Sequence, residues 1–193
     1  MASYIALRDR RLGGGVPARR GLAIVNTDAG HGLGNAFMQI KAAGKANTLF
    51  ILCHGYAGSN ERAQMSMDAG GMGLQLGREG VFISNVCLWS AIKNRVANIV
   101  VYSCAAADTQ PGNEGTTADG RYLMGALALH TNAFVYAADK IQWYSTYNNV
   151  SNGRFDWGAW EGQLWQFPPD GSAPTIVPCA PVEFGDVMNG TAP

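Results

Sequence analysis

The chain has 193 residues, of which 47% are hydrophobic and 15% charged, and its formal net charge is zero at pH 7. That length suits one domain with its own core, and the composition excludes a disordered chain kept soluble by charge. A neutral balance gives no electrostatic argument for nucleic acid or a membrane surface as partner.

Residues 1–20 carry Arg8, Arg10, Arg11, Arg19 and Arg20 against Asp9 alone. Tyr4 to Leu7 reads as a short strand, and Gly13, Gly14, Gly15 and Pro17 follow it as a cluster of breakers. This reads as a basic, glycine-rich arm over 1–20, set apart from a single domain over 21–193. Leu22 to Asn26 is the first expected core strand, and Asp28 to Gly32 a turn. Phe37, Ile40 and Ala43 recur at helical spacing, predicting a helix over about 34–45. Thr48 to Cys53 is a continuous apolar run ending at His54-Gly55, the pattern of a parallel strand covered on both faces. Residues 55–80, rich in Gly, Met and Ser, read as a long loop. Ile83 to Val96 reads as a helix, with Val86, Leu88, Trp89 and Ile92 on its buried stripe. A second buried strand, Asn98 to Tyr102, leads to Ser103-Cys104. After a polar loop over 107–118, a helix over 122–130 and a fourth core strand over 133–137 complete a core of 21–140. The alternation of strands and helices predicts an α/β fold with a mainly parallel central sheet. From 141 to 193 the character changes, with Trp143, Trp157, Trp160 and Trp165 among turn signals. Antiparallel hairpin strands packed at one edge of the sheet are expected there.

In a parallel sheet the carboxyl ends of neighbouring strands share a crevice where ligands bind. An imidazole at one such end and a thiol at another make a nucleophile and its acid–base partner. His54 and Cys104 are the candidates, 104 − 54 = 50 residues apart. Strand, His-Gly, about fifty residues, strand and Cys together resemble the caspase-like cysteine peptidases: caspases, metacaspases, separase, CHAT-type domains, clostripain and gingipain. The resemblance spans about 21–140. It implies a caspase-like three-layer sandwich and an endopeptidase that passes through a Cys104 thioester. It also implies an oxyanion site built from the backbone N–H groups of Gly55 and Cys104, with no cofactor or metal. The caspase signature Gln-Ala-Cys-x-Gly is replaced by Tyr102-Ser103-Cys104-Ala105-Ala106, so specificity for Asp is not implied.

Families of this kind that cleave after Arg or Lys use a carboxylate in the first pocket. Asp28, Asp108 and Asp139 fall after core strands, and Asp28 and Asp139 are the leading candidates. Trp143 and Tyr144 are candidate walls of a groove for an extended protein or peptide substrate. Arg10-Arg11, Arg19-Arg20 and the 107–118 loop are candidate self-processing sites. Against these stand plainer roles: strand-end residues, turn and helix-cap aspartates, and an aromatic core under a hairpin. Cys53, which alternates away from His54, and Cys87, in the helix pattern, are expected in the core. His31 reads as a turn residue and His130 as a helix-end cation, and the four ligand types lack the close pairing of a zinc site. Catalytically silent binding modules and other acyl transferases remain as alternatives, while the absence of Gly-x-Ser-x-Gly disfavours an α/β-hydrolase. The four cysteines show no Cys-x-x-Cys spacing and the Arg-bearing start has no apolar stretch of a secretion signal. A cytoplasmic protein with reduced thiols is expected, with export by a dedicated machine left open and oligomeric state unassigned.

Overall fold

The computed structural model describes residues 3–13, 15–56, 70–142, 150–151, 154–155 and 159–193. In chain order the strands and helices are β1 (Tyr4–Asp9), β2 (Leu22–Thr27), α1 (Leu33–Ala43), β3 (Ala46–Leu52), β4 (His54–Tyr56) and β5 (Gly73–Gln75). A 3-10 helix (Val86–Ile92), β6 (Val96–Tyr102), α2 (Gly120–Thr131) and β7 (Phe134–Ala138) follow. The remainder is β8 (Val150–Ser151), β9 (Arg154–Phe155), β10 (Leu164–Phe167), β11 (Thr175–Val177) and α3 (Phe184–Asn189).

Seven strands make the central sheet, in the order β11-β10-β7-β6-β3-β1-β2. β2, β1, β3, β6 and β7 run parallel, and β10 and β11 add an antiparallel pair at the β7 edge. The fold is therefore α/β with a mostly parallel sheet, and the expected antiparallel edge is formed by β10 and β11. Successive side chains of a strand point to opposite faces, and both faces are covered here. Leu49 and Ile51 of β3 pack with Phe37, Ile40, Trp89 and Leu127 from the helices on one face. Phe50 and Leu52 pack on the other with Tyr102, Phe184, Val187 and Met188. This two-sided burial is why the strands read as continuous apolar runs.

Three expectations need correction. β1 is no peripheral arm: it lies between β2 and β3, pairing with both, and Ile5, Ala6 and Leu7 are fully buried. The breakers at Gly13 to Pro17 fall in the connection from β1 to β2, so the basic residues flank an interior strand. The 83–96 stretch forms only the 3-10 helix, because its buried residues Val86, Trp89 and Ile92 recur every third position, the period of that helix. Asn94, in the left-handed region at φ 61°, follows it before β6. The tail also holds α3, which no sequence pattern had suggested; a capping box between Glu183 and Asp186 starts it and Phe184, Val187 and Met188 are buried.

Candidate active site

β3 and β6 are hydrogen-bonded neighbours in parallel register, with Leu52 opposite Tyr102. One more bond, from Cys53 N–H to the Tyr102 carbonyl at 3.3 Å, carries the pairing to the sheet's end. His54 and Cys104 each stand two residues past the last paired position of their strand, so the sequence's two candidate residues leave the sheet side by side. His54 then opens β4, pairing with Gln75 of β5, and is exposed. Cys104 is half-buried and the Ser103 before it is fully buried.

The turn at the thiol is tightly fastened. Ala105 adopts φ 47°, a left-handed conformation unusual for a residue with a Cβ. It is held there by three bonds: Ala105 N–H to the Lys140 carbonyl at 2.9 Å, Gly71 N–H to the Ala105 carbonyl at 3.0 Å, and Asp108 N–H to the same carbonyl at 3.1 Å. Ala107 N–H is bonded to the Ala138 carbonyl at 2.9 Å, which ties the loop to the end of β7.

Gly55 closes the other side. A Cβ on it would overlap the Cys104 carbonyl oxygen and lie 3.2 Å from Ser103 Oγ, so only glycine fits. Leu74 directs its own N–H and C=O to Val81, both at 2.9 Å, so β5 meets β4 through Gln75 and Gly73. The Gly55 amide instead faces the thiol.

Burial is the largest influence on the Cys104 thiol and pushes its pKa up. The backbone N–H groups of Gln142, Gly55 and Cys104 itself work the other way, favouring the thiolate, while the negative charge of Glu161 adds to the rise. The net direction is upward, so the resting sulfur is a thiol. Its S–H donates to the Gln142 carbonyl at 3.7 Å. Among the described residues its hydrogen bond therefore goes to that carbonyl and not to the imidazole.

Gln142 and the Asp9–Arg11 pair were not singled out by sequence. Gln142 is buried, its Nε2 donates to the Lys140 and Glu161 carbonyls at 2.8 and 2.9 Å, and its Oε1 accepts from Glu161 N–H at 3.2 Å. It thus fixes the segment that covers the thiol. Asp9, fully buried at the end of β1, accepts from Arg11 Nε at 2.8 Å, Arg11 Nη2 at 2.6 Å and Gly77 N–H at 2.9 Å. Arg11 also donates to the Gly77 carbonyl at 2.7 Å, clamping the chain after β5 to the sheet. Neither device shows as a pattern, because each acts by tying its segment to a residue distant in sequence, Gly77 or Glu161.

Of the proposed pocket aspartates, Asp139 and Asp108 flank the turn at the thiol with carboxylates already engaged, and Asp28 lies apart. Asp139 accepts from Gln163 N–H at 2.9 Å and from Trp165 Nε1–H at 3.0 Å, so both its oxygens fasten β10 to β7. Asp28 follows the outermost parallel strand, β2, which lies three strand spacings or about 14 Å from β6. Its carboxylate accepts from Gly30 N–H at 2.8 Å and pairs with His31 Nδ1 at 2.7 Å. The His31 bond and then the Gly30 bond hold its pKa down. Asp28 and His31, with Arg10, Asn26, Asn35 and Gln39, line a separate polar cleft of about 280 Å³. Asp108 is buried and accepts from Gln110 at 2.7 Å. Trp143 and Tyr144 lie outside the described residues. Cys53 is buried as expected, but Cys87 is exposed, since the 3-10 period turns it outward. Among the described residues no cluster of His, Cys, Asp and Glu is arranged to share a metal ion, and no helix is long and apolar enough to cross a membrane.

No family model, curated protein or solved structure matches the chain.

Proposed function

We propose that the protein is a caspase-like cysteine endopeptidase acting through Cys104 and His54. The observation that supports this reading is the adjacency of β3 and β6, which brings the chain at His54 and the chain at Cys104 to the same end of the sheet, with Gly55 packed against the Cys104 carbonyl. The architectural part of the reading rests on the strand order β2-β1-β3-β6 and on a core on each face of the sheet. In the reaction, Cys104 sulfur bonds to the substrate carbonyl carbon as its proton passes to His54. The tetrahedral oxyanion is held by the Gly55 and Cys104 N–H groups, each worth roughly 10²–10³ in rate. The C–N bond breaks as His54 protonates the leaving amine. Water then cleaves the thioester, returning the thiol and releasing the acid. Another amine in place of water gives transpeptidation on the same dyad.

The test is digestion of a diverse peptide library read by mass spectrometry, with Cys104→Ala as control. Cuts made by the wild type and not by the variant are expected. Identical products from both overturn the reading. A second reading, a silent binding module, is favoured by one observation: the thiol is neutral and donates to the Gln142 carbonyl. It predicts that alkylation of Cys104 is no faster than that of exposed Cys87.

A further inference from the structure

His54 and Tyr56 project from the same face of β4, two residues apart, because alternate side chains of a strand share a face. Tyr56 is half-buried and stacks on Phe82, with ring centroids 5.2 Å apart and planes 24° from parallel. Phe82 is closely flanked by the backbone of two glycines. A Cβ on Gly73 would reach 2.7 Å from its ring on one side, and a Cβ on Gly80, at φ +68°, would reach 2.7 Å on the other. Its backbone is pinned as well: Phe82 N–H donates to Asn85 Oδ1 at 2.8 Å, and Asn85 Nδ2 donates to the Gly80 carbonyl at 3.1 Å. The pair is a stacked aromatic platform two residues from the proposed acid, and none of the chemistry assigned to His54 and Cys104 uses it.

We propose that the Tyr56–Phe82 platform is the subsite for the first residues on the leaving-group side of the cleaved bond, and that it takes an aromatic or long apolar side chain. This rests on the peptidase reading. The amine that His54 protonates must lie within hydrogen-bond reach of the imidazole. Tyr56 stands two strand positions, about 7 Å, further along, the span of two residues of an extended peptide. A planar or long apolar side chain there gains contact area and stacking against a surface that is already ordered.

The test compares wild type, Tyr56→Ala and Tyr56→Phe on peptides identical up to the cut and carrying Phe, Leu, Ala or Asp in the two positions after it. The wild type is expected to prefer Phe and Leu over Ala by roughly ten-fold in kcat/KM, mainly through KM. Tyr56→Phe keeps that preference and Tyr56→Ala loses it, with thermal melts checking that both variants fold. Equal use of all four peptides by the wild type, or an unchanged preference in Tyr56→Ala, overturns the subsite. If the wild type cuts no peptide, it is the peptidase reading that fails. Binding of the same labelled peptides to Cys104→Ala by fluorescence anisotropy then decides the subsite separately. Tighter binding of the Phe peptide, lost on adding Tyr56→Ala, sustains it, and no discrimination overturns it.

Discussion

Gly55 is packed so closely against Cys104 that a Cβ would overlap the carbonyl oxygen of the proposed nucleophile. Gly55→Ala must therefore move either β4 or the turn at the thiol. The expected cost is about 1–3 kcal/mol of stability. Activity is expected to fall by roughly 10² or more, because a small displacement spoils attack geometry. Gly125→Ala in α2 is the contrasting case, since its nearest neighbour, Phe167, would be 4.0 Å from the added Cβ. There a gain of roughly 0.5–1 kcal/mol is expected from helix propensity. Urea melts of the two variants check the contrast; equal effects would refute the close fit at Gly55.

The Asp9–Arg11 pair makes a second prediction. Burial acts to raise the Asp9 pKa, but the side-chain and backbone bonds from Arg11 and the Gly77 N–H outweigh it, so the carboxyl sits below 3.8. A folded pKa below the unfolded one means that stability is present above about pH 3.8 and is lost as pH falls through the lower folded value. Arg11→Ala leaves a buried carboxylate short of its main partner and is expected to cost roughly 3–5 kcal/mol. Adding Asp9→Asn should recover part of that loss, because the uncompensated charge goes. Melts of the single and double variants measure it, and purely additive losses would argue against a coupled pair.

The position of β1 changes what cleavage at the basic pairs can do. Arg10-Arg11 and Arg19-Arg20 follow a strand that is hydrogen-bonded on both sides. A cut at either pair should leave residues 1–10 or 1–19 attached under native conditions, released only on denaturation. Arg19 adds an anchor of its own, donating from Nε to the Met188 carbonyl at 2.9 Å. A chain lacking residues 1–20 is expected not to fold, as it must close the sheet without Ile5 and Leu7. Native against denaturing mass spectrometry of trypsin-nicked protein checks the first expectation, and circular dichroism of the shortened chain the second.

These results mark where the sequence was legible. β3 and β6 could be read because a strand buried on both faces needs a near-continuous apolar run, and the placing of His54 and Cys104 at neighbouring strand ends followed from the same runs. β1 has the same signal in Tyr4 to Leu7, but the arginines after it suggested an exposed arm. In fact Asp9 neutralises Arg11, and both serve the sheet end. The 83–96 stretch misled because three-residue and 3.6-residue spacings differ little over two turns. Gln142 was illegible in principle: an amide that joins Lys140 to Glu161 leaves no periodic trace.

Alkaline stability offers a fourth prediction. Burial pushes the Cys53 thiol up from 9.0 to about 12. A raised folded pKa means that stability is intact below the unfolded value and lost as pH climbs from 9.0 towards 12, where the unfolded chain ionises first. One such thiol contributes a slope of up to about 1.4 kcal/mol per pH unit. Cys53→Ala should flatten the decline by that share and no more, because burial also raises Tyr102 and Cys104. Melts of both proteins at about pH 8 and about pH 11 test it, and parallel curves would contradict the assignment.

Gln142 makes the last prediction. Its side chain holds the Lys140 and Glu161 carbonyls, and its own backbone carbonyl accepts the Cys104 S–H. Gln142→Ala removes three hydrogen bonds at a buried position and frees the segment over the thiol. Burial is what chiefly raises the Cys104 pKa and outweighs the Gln142 N–H that favours the thiolate, so loosening that cover should expose the sulfur and on balance lower its pKa. Alkylation at neutral pH is then expected to speed up several-fold at Cys104, in line with its larger thiolate fraction. Cys179 is exposed and distant in sequence from this segment, and its rate should not change. Peptide mapping after timed alkylation reads both rates in one sample. Faster labelling at every cysteine would indicate general unfolding. A gain confined to Cys104 would identify the Gln142 clasp as the element that keeps the nucleophile in its neutral, resting form.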